Sequence, residues 1–525
     1  MILVCLSILI VFVLLYYHLV YSPLTLWRRA GVAQKSVLHN FINSWFLFVK
    51  GQSVVDLIKG FYDEFPGVRY SGTYQFNSPI LVIRDPVLIK KIVIKDFEHF
   101  VDRRTYIPED ADPMFGKSLF SLRGDKWRNM RSTLSPAFTS SKMKSMFVLM
   151  KECSKNFVKF FSEKNQEITE VQFKDISTRF CADVIATVAY GISVNSLENP
   201  ENEFYIRGKS STNFGTFSKM IKFIGNLAAP KLYKLLDVKL ADKDEREFFT
   251  NLIEETIRAR EEGITRPDVI QLLVDTRKGL KIHEDDTTED TGFATVQEDK
   301  RAKGIAIENL TNEDITAQAF IFFFAGFESV STLVCIMAHE LATNPDIQDK
   351  LRSEIIKVGG SDLTYDVLVG MKYMDMVVSE TLRKWPAQAG FERICTKPYE
   401  IAPVHPNEKM VKLEKGAVVI FPTVGIHRDP EYFPDPDRFD PERFNDANKH
   451  NIVPCSYTPF GGGPRGCIAS RMAILETKIL FYYLLSSFEL VPVEKTCIPL
   501  TMAKNALLIS VEGGCWLGLK KISST

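Results

Sequence analysis

Phe460-Gly461-Gly462-Gly463-Pro464-Arg465-Gly466-Cys467 is a glycine-rich loop that ends in one cysteine. An apolar, helix-forming run from Ile468 to Leu485 comes directly after it. The start of a helix carries partial positive charge and free N–H groups, which favour a thiolate over a thiol. Glycines leave room where backbone must approach a flat ligand. Arg465, two residues before the cysteine, offers a guanidinium fork for a carboxylate. This donor set suits a haem iron held by an axial thiolate, with Arg465 on a haem propionate. A single cysteine also suits a buried structural role, so the rest of the chain has to decide.

The chain has 525 residues, with 65 Lys+Arg against 65 Asp+Glu. Zero net charge does not suit a nucleic-acid binder. The length suits one large mixed domain or two fused lobes. Nine cysteines without C-x-x-C spacing indicate neither zinc nor a disulfide framework. A hydrophobic content of 45% with 38 Phe suits a large apolar interior or pocket.

Residues 1–21 hold no Lys, Arg, Asp or Glu. As a helix, such a run spans about 30 Å, the thickness of a bilayer core. No basic start or small-residue cleavage site marks a secretory signal. Tyr16, Tyr17, Tyr21 and Trp27 stand where an interfacial aromatic belt would be. Arg28, Arg29 and Lys35 put the downstream chain on the cytosolic side. The expected organisation is a transmembrane anchor over 1–22 and a cytosolic catalytic domain over 23–525. Helical apolar spacing recurs through 141–162, 168–191, 245–262 and 311–343. Paired strands are expected over 68–74 and 80–83, with Asn77-Ser78-Pro79 between them, and further strands in 400–422 and 490–520. The acidic stretch 283–300 reads as an exposed loop. The fold class is mainly α with a smaller β-rich lobe (α+β).

Three further constellations carry chemistry. Ile321 to Ser331 is an apolar helix that contains Ala325-Gly326, then the acid Glu328 and the hydroxyl of Ser329. A charge inside an apolar run is costly without a partner or a task. Glu380-Thr381-Leu382-Arg383 puts an acid and a base on one helix face. Trp127 and Arg131, at i and i+4, share another.

Together with the Cys467 loop, these segments resemble the cytochrome P-450 superfamily from the N-terminal anchor to the C-terminus. The pattern is that of the microsomal type, and of the insect detoxification branch grouped with vertebrate 3A-type enzymes. The resemblance implies the cytochrome P-450 fold and haem b (iron protoporphyrin IX) with Cys467 as thiolate ligand and Phe460 in the binding loop. It implies propionate contacts from Trp127, Arg131, Arg393 and Arg465. Glu328 and Ser329 take the place of the family's proton-delivering acid–alcohol pair, with Ser for the usual Thr. Glu380, Arg383 and Arg443 (in Asp440-Pro441-Glu442-Arg443-Phe444) match a structural triad needed for haem insertion. Ala469 replaces the usual glycine two residues after the ligand. His427 and Cys455 read as structural.

The implied activity is an unspecific-type monooxygenase that inserts one atom of O2 into hydrophobic small molecules, xenobiotics or endogenous lipophiles. No flavin or dinucleotide motif occurs, so electrons would come from NADPH–cytochrome P-450 reductase, with cytochrome b5 as a further candidate donor. Lys126, Arg128 and Lys144 are candidate docking cations, though a solvated basic face explains them equally well. The implied location is the endoplasmic reticulum membrane. By family position, substrate contacts fall in 104–120, 214–224, 317–329, 387–391 and 499–501. Two other classes stay open: a haem-thiolate isomerase or dehydratase that needs neither O2 nor reductase, and an anchored haem binder without turnover. The pair Glu328-Ser329 disfavours the isomerase.

Overall fold

Asn312–Thr343 forms a 32-residue helix through the middle of the protein. Thr311 caps its start: the Thr311 hydroxyl accepts from Asp314 N, and Thr311 N donates to the Asp314 carboxylate. Pro345 lies just past its end and keeps Asn344 out of helical geometry. The computed structural model describes residues 2–39, 52–75, 78–104, 107–109, 111–213, 216–228, 230–279, 292–307, 309–359, 363–504 and 509–522. The expected positions 77, 105–106, 110, 214–215 and 283–291 lie outside them.

In chain order the elements used below are α1 (Ile2–Tyr16), α2 (Gly124–Leu134), α3 (Ser140–Ser162), α4 (Phe173–Val188), α5 (Lys243–Glu261), α6 (Asn312–Thr343), α7 (Lys372–Lys384) and α8 (Ser470–Ser487). The strands are β1 (Tyr70–Gln75), β2 (Ser78–Ile83), β3 (Ile168–Gln172), β4 (Phe391–Ile394), β5 (Tyr399–Ile401), β6 (Val411–Leu413), β7 (Val418–Phe421), β8 (Phe488–Val491) and β9 (Trp516–Lys521). Helices α4 and α6 pack against each other, and α3 packs on both α4 and α8. The main apolar core runs through these four helices and α7. A four-stranded sheet, β1-β2-β7-β4, carries a second core. Small sheets β3-β9-β8 and β5-β6 complete the strands among the described residues. The molecule is helix-rich with a small β lobe.

Several expectations need correction. The stretch 168–191 is not one helix. Ile168–Gln172 is a strand antiparallel to β9, and α4 starts at Phe173, where the Gln172 side chain accepts from Asp175 N. Period-2 burial in Ile168 to Gln172 is too short to stand out beside the long helical pattern. Strand β2 begins at Ser78, not Ile80, because Ser78 and Pro79 already pair with Gln75 and Tyr74. Trp27 is not an interfacial residue. It is 2% exposed and lies against Gly72 of β1, where a Cβ would fall 2.3 Å from its ring.

At the N-terminus, α1 continues through a wider helical turn, Tyr17–Tyr21, into Ser22–Leu24, with Tyr16 and Ser22 both in right-handed helical geometry. Val4 to Tyr17 and Tyr21 are exposed. Among the described residues, the helix long and apolar enough to cross a membrane is α6, which is mostly buried in the core.

Candidate active site

The glycine loop folds back on itself before α8. Cys467 N donates to Phe460 O (3.0 Å), and Gly466 N donates to Gly463 O (2.8 Å). The glycines are needed for reasons internal to the chain. Gly461 and Gly463 have φ of +75° and +67°, and a Cβ on Gly463 would lie 1.9 Å from Val93 O. Ala469 sits just before α8 at φ −99°, ordinary for any residue, so its backbone does not call for glycine. Burial pushes the Cys467 thiol up. The Ala469 amide, Arg131 and Arg103 pull it back, and Glu298 adds to the rise. The expected lowering is therefore outweighed by desolvation until a cation meets the sulfur.

Four guanidinium groups gather on this loop. Arg131 Nη1 donates to Gly466 O at 2.8 Å. Arg393, from β4, donates to Gly462 O at 3.2 Å. Arg103 donates to Arg465 O at 2.8 Å. Arg465 donates to Val101 O and Leu122 O, and lies 4.0 Å over the ring of Trp127. Burial holds Arg393 and Arg465 well below the ordinary guanidinium range, with Arg103 the first repulsive neighbour of each. Asp102 stands 3.5 Å from Arg465, and Glu298 bridges Arg131. Buried Arg393 Nε has no hydrogen-bond partner. A crowded set of buried cations with an unpaired N–H calls for further anions, and two propionates fit it. Sequence reading missed Arg103; its signal is Asp102-Arg103-Arg104, a charged run after the apolar Phe100-Val101.

On α6, Ala325 and Ser329 are exposed one turn apart, although most of the helix is buried. The two members of the acid–alcohol pair point differently. The Ser329 hydroxyl donates to Ala325 O at 2.6 Å, and Glu328 is ion-paired to Lys174 of α4 at 2.9 Å. Phe115 sets its ring edge-on to Phe320 and Phe324 of the same helix.

Glu380 and Arg383 are both fully buried and joined twice, at 2.7 and 2.9 Å. Arg443 Nε stands 3.5 Å from Glu380, and Asp440 N donates to the same carboxylate. Arg383 also donates to the carbonyls of His427 and Pro436. His427 Nε2 accepts from Thr458 N (2.9 Å), so its Nδ1 carries the proton donated to Arg383 O. This imidazole therefore ties the buried pair to the segment leading into the cysteine loop. The candidate docking cations are each paired within the chain: Lys126 with Glu109, Arg128 with Glu98 and Lys144 with Asp366.

A cysteine at the end of a glycine loop, ringed by cations that need anions, has the donor set of a haem-binding protein. A family model for cytochrome P450 matches residues 52–514. Cytochrome P450 9e2 of Blattella germanica is 45% identical over 495 residues, 90% of each chain. Probable cytochrome P450 9f2 of Drosophila melanogaster is 40% identical over 506 residues, 94% of each chain. Cytochrome P450 6k1 of Blattella germanica is 34% identical over 519 residues, covering 98% of this chain and 95% of its own. The chain belongs to the cytochrome P450 family. It is a haem-dependent monooxygenase, and its family holds haem through a cysteine thiolate.

Proposed function

We propose that Cys467 is the haem ligand and that Trp127, Arg131, Arg393 and Arg465, with Arg103, form the propionate rim. The observation that carries this is the convergence of buried guanidiniums on the Cys467 loop, one of them with an unbonded N–H. The other cysteines lack such surroundings. Cys455 is half-buried in the β-lobe core. Cys497 is exposed and bonded to Pro499 O.

Bound haem supplies the activation of dioxygen, one atom of which enters the substrate while the other leaves as water, with two electrons and two protons consumed. The chain's part is to hold the group, shape the pocket and handle protons. Glu328 carries a proton-accepting carboxylate at the mid-helix, and Ser329 presents a hydroxyl on its exposed face. Partly exposed Phe324, backed by the buried rings of Phe115 and Phe320, offers apolar surface for lipophilic substrates. Glu380, Arg383 and Arg443 hold α7 to the segment before the loop.

Electrons would come from NADPH–cytochrome P450 reductase, with cytochrome b5 as a second donor. The uncharged run 1–22, with Val4 to Tyr17 and Tyr21 exposed, suits an anchor in the endoplasmic reticulum membrane, ahead of a catalytic domain from residue 23. Oxidation of foreign compounds and of endogenous lipophiles both suit an apolar site of this kind. The reduced carbon-monoxide spectrum tests the ligand. Cys467→Ala should abolish the thiolate-type band, while Cys455→Ala and Cys497→Ala keep it. Loss of the band in either of the latter, with Cys467→Ala normal, reverses the assignment. Oxygen uptake with NADPH, reductase and an apolar substrate separates turnover from mere binding.

A further inference from the structure

Residues 292–307 cross the outside of the cysteine loop. Val296 N donates to Ser470 Oγ (3.1 Å), three residues past Cys467. Val296 Cγ1 stands 2.7 Å from where a Cβ on Gly466 would be. Glu298 meets Arg131 at 2.7 Å. Beyond it, Gly304 N donates to Ser132 and Ile305 N to Asn129, both on α2. At the near end, the ring of Phe293 packs on Phe444 and Tyr457. Arg301 reaches the carbonyl of Ile94.

This segment is the outer layer. Gly466 beneath it is buried, whereas Gln297, Glu298, Lys300 and Ile305 are exposed. Its anchorage is thin: Ala294 and Ala302 are its only fully buried side chains among the described residues, and the rest is the partly exposed packing of Phe293, Val296 and Ile307, hydrogen bonds and ion pairs. Segments with little buried apolar surface open locally at low cost.

We propose that residues 292–307 are a strap over the Cys467 loop, which lifts when an electron donor seats against that loop. The inference rests on Cys467 being the haem ligand. The competent, strap-open form is then a minor population, and the donor's apparent affinity is reduced by that fraction. The step controlled is one-electron reduction of ferric haem by the donor's reduced flavin, which loses that electron.

The test uses the full-length haem protein with NADPH–cytochrome P450 reductase. Hydrogen exchange at Val296, Gly304 and Ile305 should speed up when reductase is added. Unchanged or slower exchange would overturn the proposal, the latter because the donor would then sit on the strap. Arg301→Ala and Phe293→Ala should each lower the half-saturating reductase concentration by about threefold or more. Reduction by dithionite, which needs no docking, should stay as in wild type. If both variants keep a normal carbon-monoxide band and wild-type dependence on reductase, the strap restrains nothing. A wild-type protein without the thiolate-type band would instead overturn the reading of Cys467.

Discussion

Lys174 Nζ lies 2.9 Å from Glu328 Oε1 and also donates to the hydroxyls of Ser331 and Thr332. The mid-helix acid is thus held toward α4, while the next residue, Ser329, donates back to Ala325 O. A proton passing between them needs a side-chain rotation or a water. Serine lacks the methyl that restricts threonine, so its hydroxyl is free to adopt this back-bonded rotamer. Ser329→Thr should raise product formed per NADPH, and Ser329→Ala should lower it with more peroxide released. The change should be about twofold or more, well under the ~10²-fold of losing a general acid outright. Product, peroxide and NADPH measured together in a reductase-reconstituted system decide it. Equal coupling in all three proteins removes the 329 side chain from the path.

Glu380→Ala leaves Arg383 as an uncompensated charge in a fully buried site. The expected cost is about 3–5 kcal/mol, a large part of a typical domain's stability. Mostly haem-free protein should result, seen as a low haem-to-protein ratio. Normal haem content would mean that the buried pair is dispensable.

His427 is held below its ordinary value, to about 3, by burial first and then by Arg383. The folded protein keeps it neutral, and the unfolded chain takes up a proton near pH 6.5. Its contribution to stability is therefore full above about pH 6.5 and falls as pH drops toward 3, by about 1.4 kcal/mol per unit. His427→Gln, which keeps an acceptor for Thr458 N, should flatten the acid limb of the urea midpoint for haem release. An acid limb identical to wild type would assign the loss to other groups.

Glu476 of α8 has the opposite sign. It is fully buried, its Oε1 is unbonded, and burial pushes its carboxyl up to about 8. The folded state keeps it protonated, so stability falls as pH rises from about 4.5 to 8, again by about 1.4 kcal/mol per unit. Glu476→Gln should remove that slope and raise the urea midpoint most at pH 8. A variant less stable than wild type at pH 8 would show an ionised, stabilising carboxylate.

The features that the sequence determined by itself are local or repeated along the chain. The long helix at 312–343 comes from sustained apolar spacing with a Thr-x-x-Asp cap at its start. The cysteine loop comes from residue types that have few other uses side by side. Period-2 signals of three to five residues are weaker, so the strand at 168–172 does not separate by pattern from the helix after it.

Partners across the chain were decided only by the tertiary structure, because a contact between distant residues depends on how elements pack. The sequence has a lysine at 174, but only the packing of α4 on α6 sets it against Glu328. It has Arg103 and Glu298, but only folding brings them 362 and 167 residues along the chain to Arg465 and Arg131. Glycine at 463 reads as room for a ligand, yet the nearest obstacle to a side chain there is Val93 O, from a segment about 370 residues earlier. Burial of the Cys467 sulfur is of the same kind: a helix start favours the thiolate, while desolvation by neighbours far along the chain pushes the thiol up until a cation meets the sulfur.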